Sequence, residues 1–310
     1  MPTSATERVG SAPARIVARP GRAVGGGCVS LILAAALLGS AAPSGTPRWV
    51  EMFGYEQADL QPIEIGDYGY PYLRVAVDEI TALLVFDTGN TIGLSLSPEL
   101  FDRLSLDEPG THERLNSAGE VVATGRHGRG RSVVVAGREL GPQRIHEFDH
   151  PRLAGLASPH FLLGGHFTLD YGSRLIAASD TFLPATIPGF QPLPLVRSPS
   201  HPTLLLVHGD IAGRRVLIEL DTGKSRTVVN PRLAAELGLA SGPDGFRIDR
   251  LGIGGLSFAI ANAKGVDQTT IDGALPEPIL AGVGSDVLAR FVWTADYSTS
   301  TLWVPLGPPR

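Results

Sequence analysis

The sequence predicts a mainly β chain folded as two similar lobes in a pseudo-twofold arrangement. Three observations lead there. The tripeptide Asp-Thr-Gly occurs twice, at Asp87-Thr88-Gly89 and Asp221-Thr222-Gly223, each time straight after an apolar run (Leu83-Leu84-Val85-Phe86 and Val216-Leu217-Ile218-Glu219-Leu220). The neighbourhoods of the two copies match, so the chain carries an internal duplication. Glycine (38) and proline (25) are frequent while apolar runs stay short, which favours turn-rich β structure over long helices.

In chain order, residues 1–42 read as a signal peptide. Arg8, Arg15, Arg19 and Arg22 precede an apolar segment from Val29 to Leu38, and Gly39-Ser40-Ala41-Ala42 supplies a small-residue cleavage site. The segment is short for a spanning helix, which needs about 20 apolar residues. An exported chain, periplasmic or extracellular, is therefore expected, with no stable membrane span in the mature form. An uncleaved anchor is the lesser reading. Cys28, the single cysteine, leaves with the segment, so stability without disulfides is expected.

The first lobe is placed at residues 58–185. It opens on Leu60-Gln61-Pro62-Ile63, runs through an apolar stretch from Leu73 to Val77, and enters the first Asp-Thr-Gly. Ser97 as N-cap with Pro98 behind it predicts a short helix from Pro98 to Leu104. The lobe closes on the strand Phe167 to Tyr171. Residues 186–202 form a Pro-rich linker, able to join a sheet only at an edge. The second lobe, residues 195–308, repeats the order: Phe190-Gln191-Pro192-Leu193, an apolar stretch from Leu204 to Val207, the second motif, a helix start at Asn230-Pro231, and a closing strand Trp293 to Tyr297.

With these residues in view, each half resembles a lobe of the retropepsin-like and pepsin-like aspartic peptidases. The pair resembles a compact bilobal member of that group, over roughly residues 58–308. Lobe size is nearer the retropepsin type. The resemblance implies acid-protease β-barrel lobes, with each aspartate loop braced by a later apolar segment. Gly282-Val283-Gly284-Ser285-Asp286-Val287-Leu288 matches that segment in the second half; in the first, Leu156-Ala157-Ser158 has Ser158 where glycine is expected. The resemblance also makes Asp170 and Asp296 structural.

The chemistry implied is peptide-bond hydrolysis by a water held between Asp87 and Asp221. Two carboxylates at such short range cannot both ionise, so they share one proton. One acts as general base on the water while the other, protonated, polarises the scissile carbonyl. Thr88 and Thr222 would tie the two loops together, and Gly89 and Gly223 would allow the tight turns and give N–H groups to the carboxylates. No cofactor or metal is expected. The expected partner is a polypeptide bound in extended form, and the chain is expected to be a monomer.

Three departures support an alternative, a catalytically inactive bilobal protein that binds peptides or serves envelope assembly. Asn90 and Lys224 stand where small residues usually follow the motif. Hairpin tips near Ala118-Gly119 and Asp244-Gly245 lack a tyrosine. Lys224 is one of only two lysines; a cation facing the dyad would oppose the shared proton. Its long stem lets the ammonium reach solvent, and that outward geometry is the one expected here.

Other features are read as unrelated to function. Removing residues 1–42 takes four of 26 basic residues and one of 31 acidic ones, leaving a net charge of −8, which speaks against nucleic-acid binding. Arg126-His127-Gly128-Arg129-Gly130-Arg131 is read as a solvated β-turn with charged flanks. His146-Glu147-Phe148-Asp149-His150 has a zinc-like histidine spacing, but Pro151 follows and no helix pattern surrounds it, so it is read as a surface loop. Gly252-Ile253-Gly254-Gly255 is read as a hairpin turn.

Overall fold

The computed structural model describes residues 45–115, 121–269, 271 and 273–307. The signal-peptide reading of residues 1–42 and the hairpin tip at Ala118-Gly119 lie outside them. The fold is mainly β and contains a closed six-stranded barrel.

That barrel belongs to the second half. Its strands, in order around the ring, are Leu206–Ile211, Arg214–Leu220, Ile279–Val283, Val228–Val229, Leu256–Gly265 and Gly245–Ile253, with the last pairing back onto the first. Closure occurs where Asp210 and Ile211 pair with Gly252 and Leu251. A Cβ at Gly209 would sit 2.6 Å from the Gly252 carbonyl oxygen, so glycine lets the two strands meet. Strand Arg214–Leu220 is buried over its last five residues, as expected of a strand covered on both faces. Ile211, Val216, Ile218, Ile248, Leu251 and Phe258 help fill the interior.

The same pairing pattern recurs in the first half. Pro71–Val77 pairs antiparallel with Ile80–Phe86, which pairs parallel with Gly155–Ala157. Gly155–Ala157 pairs antiparallel with Leu94–Leu96, and that strand pairs parallel with Gln143–Glu147. Each of these pairings has a counterpart of the same sense in the second half. Strand Val121–Gly130 then pairs with Gln143–Glu147, and Val133–Val135 returns to Pro71–Val77.

A six-stranded antiparallel sheet joins the halves, in the order Leu60–Pro62, Leu175–Ser179, His166–Asp170, Trp293–Asp296, Thr301–Pro305 and Phe190–Val196. At its centre His166–Asp170 pairs with Trp293–Asp296, and Thr168 lies opposite Thr294. The Pro-rich segment thus supplies a strand: Phe190 to Pro194 pair only with Thr301–Pro305, an edge position that suits residues without an N–H.

Ahead of residue 58 a helix, Arg48–Met52, packs Trp49 and Val50 with Phe53, Ile187, Val292 and Trp303. Trp49 Nε1 donates to the Asp170 carboxylate at 2.8 Å. Both expected helices form, at Pro98–Phe101 (shorter than the expected Pro98 to Leu104) and Pro231–Glu236; the Asn230 side chain caps the second by accepting from the N–H groups of Arg232 and Leu233, whereas Ser97 makes no such bond and the expected cap is absent there.

Three local readings change. The segment read as a basic turn is part of strand Val121–Gly130, and Arg126 pairs with Asp102 and Glu147. Its glycines allow this, since a Cβ at Gly128 would meet Leu106 at 2.6 Å and one at Gly130 would meet Val77 at 2.9 Å. The segment read as a surface loop begins inside a strand, because His146 belongs to Gln143–Glu147; His150 stacks on Phe148. The third is Lys224, whose side chain turns toward Glu219 and Asp221. The Gly252–Gly255 segment is the turn expected, with Ile253 paired to Leu256 and Gly254 at φ +59°.

Candidate active site

Each Asp-Thr-Gly follows the end of a buried strand, where the backbone leaves the sheet. The Asp87 N–H donates to the Ala157 carbonyl at 3.0 Å and the Asp221 N–H to the Val283 carbonyl at 2.9 Å. Both partners end the strands that run parallel to the motif strands, so each later segment anchors its aspartate. Ser158 fits this scheme: it is buried, its N–H donates to the Gly93 carbonyl at 3.1 Å, and its hydroxyl bonds His160 Nδ1 at 2.6 Å. Gly284, its counterpart, lies where a Cβ would be 2.6 Å from the Lys224 carbonyl oxygen.

The two loops are tied to each other by their threonines. Thr88 Oγ1 donates to the Leu220 carbonyl at 2.7 Å and accepts from the Thr222 N–H at 3.0 Å. Thr222 Oγ1 donates to the Phe86 carbonyl and accepts from the Thr88 N–H at 3.1 Å. Both threonines are fully buried, so these four bonds are shielded from competing water.

The glycines do two things. Gly89 N–H donates to Asp87 Oδ1 at 2.9 Å, and Gly223 N–H to Asp221 Oδ1 at 2.8 Å. Each also leaves room for the opposite carboxylate: a Cβ at Gly89 would lie 2.4 Å from Asp221 Oδ2, and one at Gly223 would lie 2.4 Å from Asp87 Cγ. Any side chain there would displace the facing aspartate. The two carboxyl groups thus face each other, each against the glycine of the opposite loop.

Burial and the neighbouring Asp221 charge push the Asp87 carboxyl well above the ordinary carboxylate range, its hydrogen bond with Asp221 adds to this, and Lys224 and the Gly89 N–H oppose it. That is the behaviour of a pair of close acids holding one proton between them.

Lys224 turns inward, contrary to the outward geometry expected from its long stem. Its Nζ contacts Asp221 Oδ2 and donates to Glu219 Oε2 at 2.8 Å. Glu219 is 2% exposed and also accepts from Gln268 Nε2 at 2.6 Å. A buried carboxylate needs a cation and hydrogen-bond donors, and the strand run that ends at Asp221 carries one in Glu219. That need outweighs solvation of the lysine head. Burial disfavours the Lys224 ammonium, yet Glu219 and Asp221 hold its pKa above the ordinary lysine value. Asn90, at the same place in the first loop, behaves differently. Its Nδ2 donates to the Gly93 carbonyl and its Oδ1 accepts from the Ile92 N–H, so it braces its own turn.

The Asp87 side opens onto a cleft of about 640 Å³ that also takes in Gly223 and Ser225 of the second loop. Its wall carries Tyr68, Tyr70, Tyr72 and Phe148, with the Arg152 guanidinium held by the Tyr68 hydroxyl at 2.8 Å. The recurrent aspartates are remote from this chemistry in role: Asp170 accepts from Trp49 and Ser173, and Asp296 caps the turn at Ser298 and Thr299.

All six residues expected at the site meet there: Asp87, Thr88, Gly89, Asp221, Thr222 and Gly223. Sequence reasoning missed Glu219 and Gln268. Glu219 had a visible signal, a charge inside the otherwise apolar run Val216-Leu217-Ile218-Glu219-Leu220 with a rare lysine five residues on; Gln268 had none. Among the described residues no group of three or more His, Cys, Asp or Glu side chains is set to hold a metal ion, and no helix is long and apolar enough to cross a membrane. No protein-family model matches the chain, and no curated protein does.

Proposed function

We propose that the chain is an exported aspartic endopeptidase made of two retropepsin-like lobes, hydrolysing peptide bonds at Asp87 and Asp221. One observation carries the reading: two Asp-Thr-Gly loops, bound to each other through Thr88 and Thr222, set two carboxyl groups face to face beside a cleft. A turn motif has no reason to be duplicated, buried and cross-tied in this way. The recurrence of the same strand pairings around each loop supports two lobes of one type.

In this reading a water bound between the carboxylates is the nucleophile. The ionised carboxylate takes its proton as it attacks the scissile carbonyl, and the protonated one donates to the carbonyl oxygen. The Thr88–Thr222 bonds hold the carboxyl separation through the cycle, so that positioning is settled before substrate arrives. A polypeptide in extended form fits the cleft, its main chain offering strand-like hydrogen bonds.

The test is incubation of the purified chain with a mixed peptide library from acidic to neutral pH. Cleavage that disappears in Asp87→Asn and in Asp221→Asn, with both variants folded, is the expected result. Activity that survives either substitution would remove the dyad from the mechanism.

A second reading has its own support. Lys224 binds the Asp221 carboxylate directly, and a cation there favours ionised acids. On that account the chain is a catalytically inactive peptide-binding or envelope-assembly protein. Peptide binding without turnover, unaltered by Asp87→Asn, is its signature.

A further inference from the structure

The second loop holds a charge system that the first does not. Glu219 stands two residues before Asp221, where the first loop has Val85, and Lys224 stands three residues after it, where the first loop has Asn90. Lys224 Nζ bridges Glu219 Oε2 and Asp221 Oδ2, while Gln268 Nε2 donates to the same Glu219 oxygen. The surroundings are shaped for this arrangement: a Cβ at Gly282 would fall 2.8 Å from Gln268 Oε1 and 3.3 Å from Lys224 Cε.

We infer that Lys224 and Glu219 form a charge-compensated pair that fixes Asp221 as the ionised member of the dyad and leaves the proton on Asp87. Both are positioning residues. The charge count supports it. A lone ammonium beside two carboxylates would drive both to ionise, leaving no acid to donate a proton. Glu219 cancels that charge, so the dyad keeps the single negative charge that shared-proton chemistry requires. The contact is one-sided, on Asp221 alone, so the negative charge settles there. At this depth such interactions are stronger than on the surface.

Other titratable or charged groups also face the dyad. Tyr171 lies behind the second loop, bonded to Ser285 and held protonated chiefly by burial. Across the cleft stand Asp67, Tyr68, Tyr70, Tyr72, His150 and Arg152, the last tied to Tyr68. Burial raises the Glu219 carboxyl as well, and Lys224 pulls it the other way.

The catalytic consequence rests on the peptidase reading: Asp221 would be the base that activates water and Asp87 the acid. The assignment itself is tested without turnover. Carboxyl-¹³C NMR of the full chain, with signals assigned through Asp87→Asn and Asp221→Asn, follows each group across pH. In the unaltered chain Asp87 should titrate above Asp221. Lys224→Met should raise the Asp221 titration by about one pH unit or more and narrow the gap, a shift of at least tenfold in its ionisation constant. Glu219→Gln should lower the Asp87 titration, since the ammonium is then uncompensated. If Lys224→Met fails to fold because Glu219 is stranded, the double variant Lys224→Met/Glu219→Leu reads the same gap.

Asp221 titrating above Asp87 in the unaltered chain overturns the inference, and so does a lysine variant that leaves both titrations in place. Absence of cleavage with the titrations as expected would sink the peptidase reading alone. Cleavage with unmoved titrations would sink this inference alone.

Discussion

The threonine hydroxyls and the loop glycines each meet a different constraint. Thr88 Oγ1 and Thr222 Oγ1 each satisfy one buried N–H and one buried carbonyl of the facing loop. Valine has nearly the same shape but no hydroxyl, so Thr88→Val leaves the Thr222 N–H and the Leu220 carbonyl buried without partners. A loss of roughly 2–4 kcal/mol is expected, given a cost of about 1–3 kcal/mol for each unsatisfied buried group. Thr88→Ser should recover most of it. Urea unfolding of the three chains checks this; a valine variant as stable as the parent would show that the bonds contribute little. On the proposed peptidase reading, Gly89→Ala and Gly223→Ala should abolish cleavage with less harm to folding, because the added methyl meets the facing carboxylate. Retained turnover in either alanine variant would mean that the loops can yield.

The strand Gln143–Glu147 carries His146 into a group with His127 on the adjoining strand Val121–Gly130 and His112 on the next strand out, Asp107–Leu115, ring centroids 4.6–6.2 Å apart. Burial lowers the His146 pKa to about 4, and the nearby His112 and His127 add to the effect. The folded state thus binds fewer protons here than the unfolded chain, whose histidine titrates near about 6.5. A group depressed in this way contributes stability that is complete above the unfolded value and is lost as pH falls towards the folded one. The window is about pH 6.5 down to 4. The raised carboxyls of Asp87 and Glu219 act in the opposite sense, so the informative quantity is a difference. His146→Gln should flatten the fall of melting temperature across this window relative to the unaltered chain. Parallel curves would show that His146 is not the group responsible.

The six-stranded sheet makes one body of the two halves, and helix Arg48–Met52 packs on its second apolar cluster. Trp49 is 4% exposed and bonds Asp170, which belongs to the strand opposite Trp293–Asp296. Truncating it empties a large buried site and leaves the Asp170 carboxylate short of a donor. Trp49→Ala is therefore expected to cost about 3–5 kcal/mol, the range for large aromatic residues in a core. Chemical denaturation measures it. Asp170→Asn, which keeps an acceptor for the indole N–H, should cost less. A Trp49→Ala loss under about 0.5 kcal/mol, the range of ordinary surface changes, would mean that the helix is not integral to the fold.

The duplication was legible in the residues themselves. A repeated tripeptide at strand ends, helix starts with Asn or Ser before proline, and Gly/Pro punctuation are local signals, and local sterics and hydrogen bonding decide their outcome. The motif loops, the two helix starts and the edge placement of the Pro-rich segment belong to this class. Other features depended on what the fold brings near. Arg126 to Gly130 looks like a turn in isolation; only the neighbouring strands, which come close enough to need its glycines, make it β structure. Lysine alone favours water, and the inward course of Lys224 follows from a buried glutamate on the adjoining strand and a glutamine 49 residues from that glutamate. Sequence by itself determined where two carboxylates would stand at strand ends. Tertiary structure decided which of them a cation would touch, because charge partners across a core are set by packing and by the cost of leaving any buried charge alone.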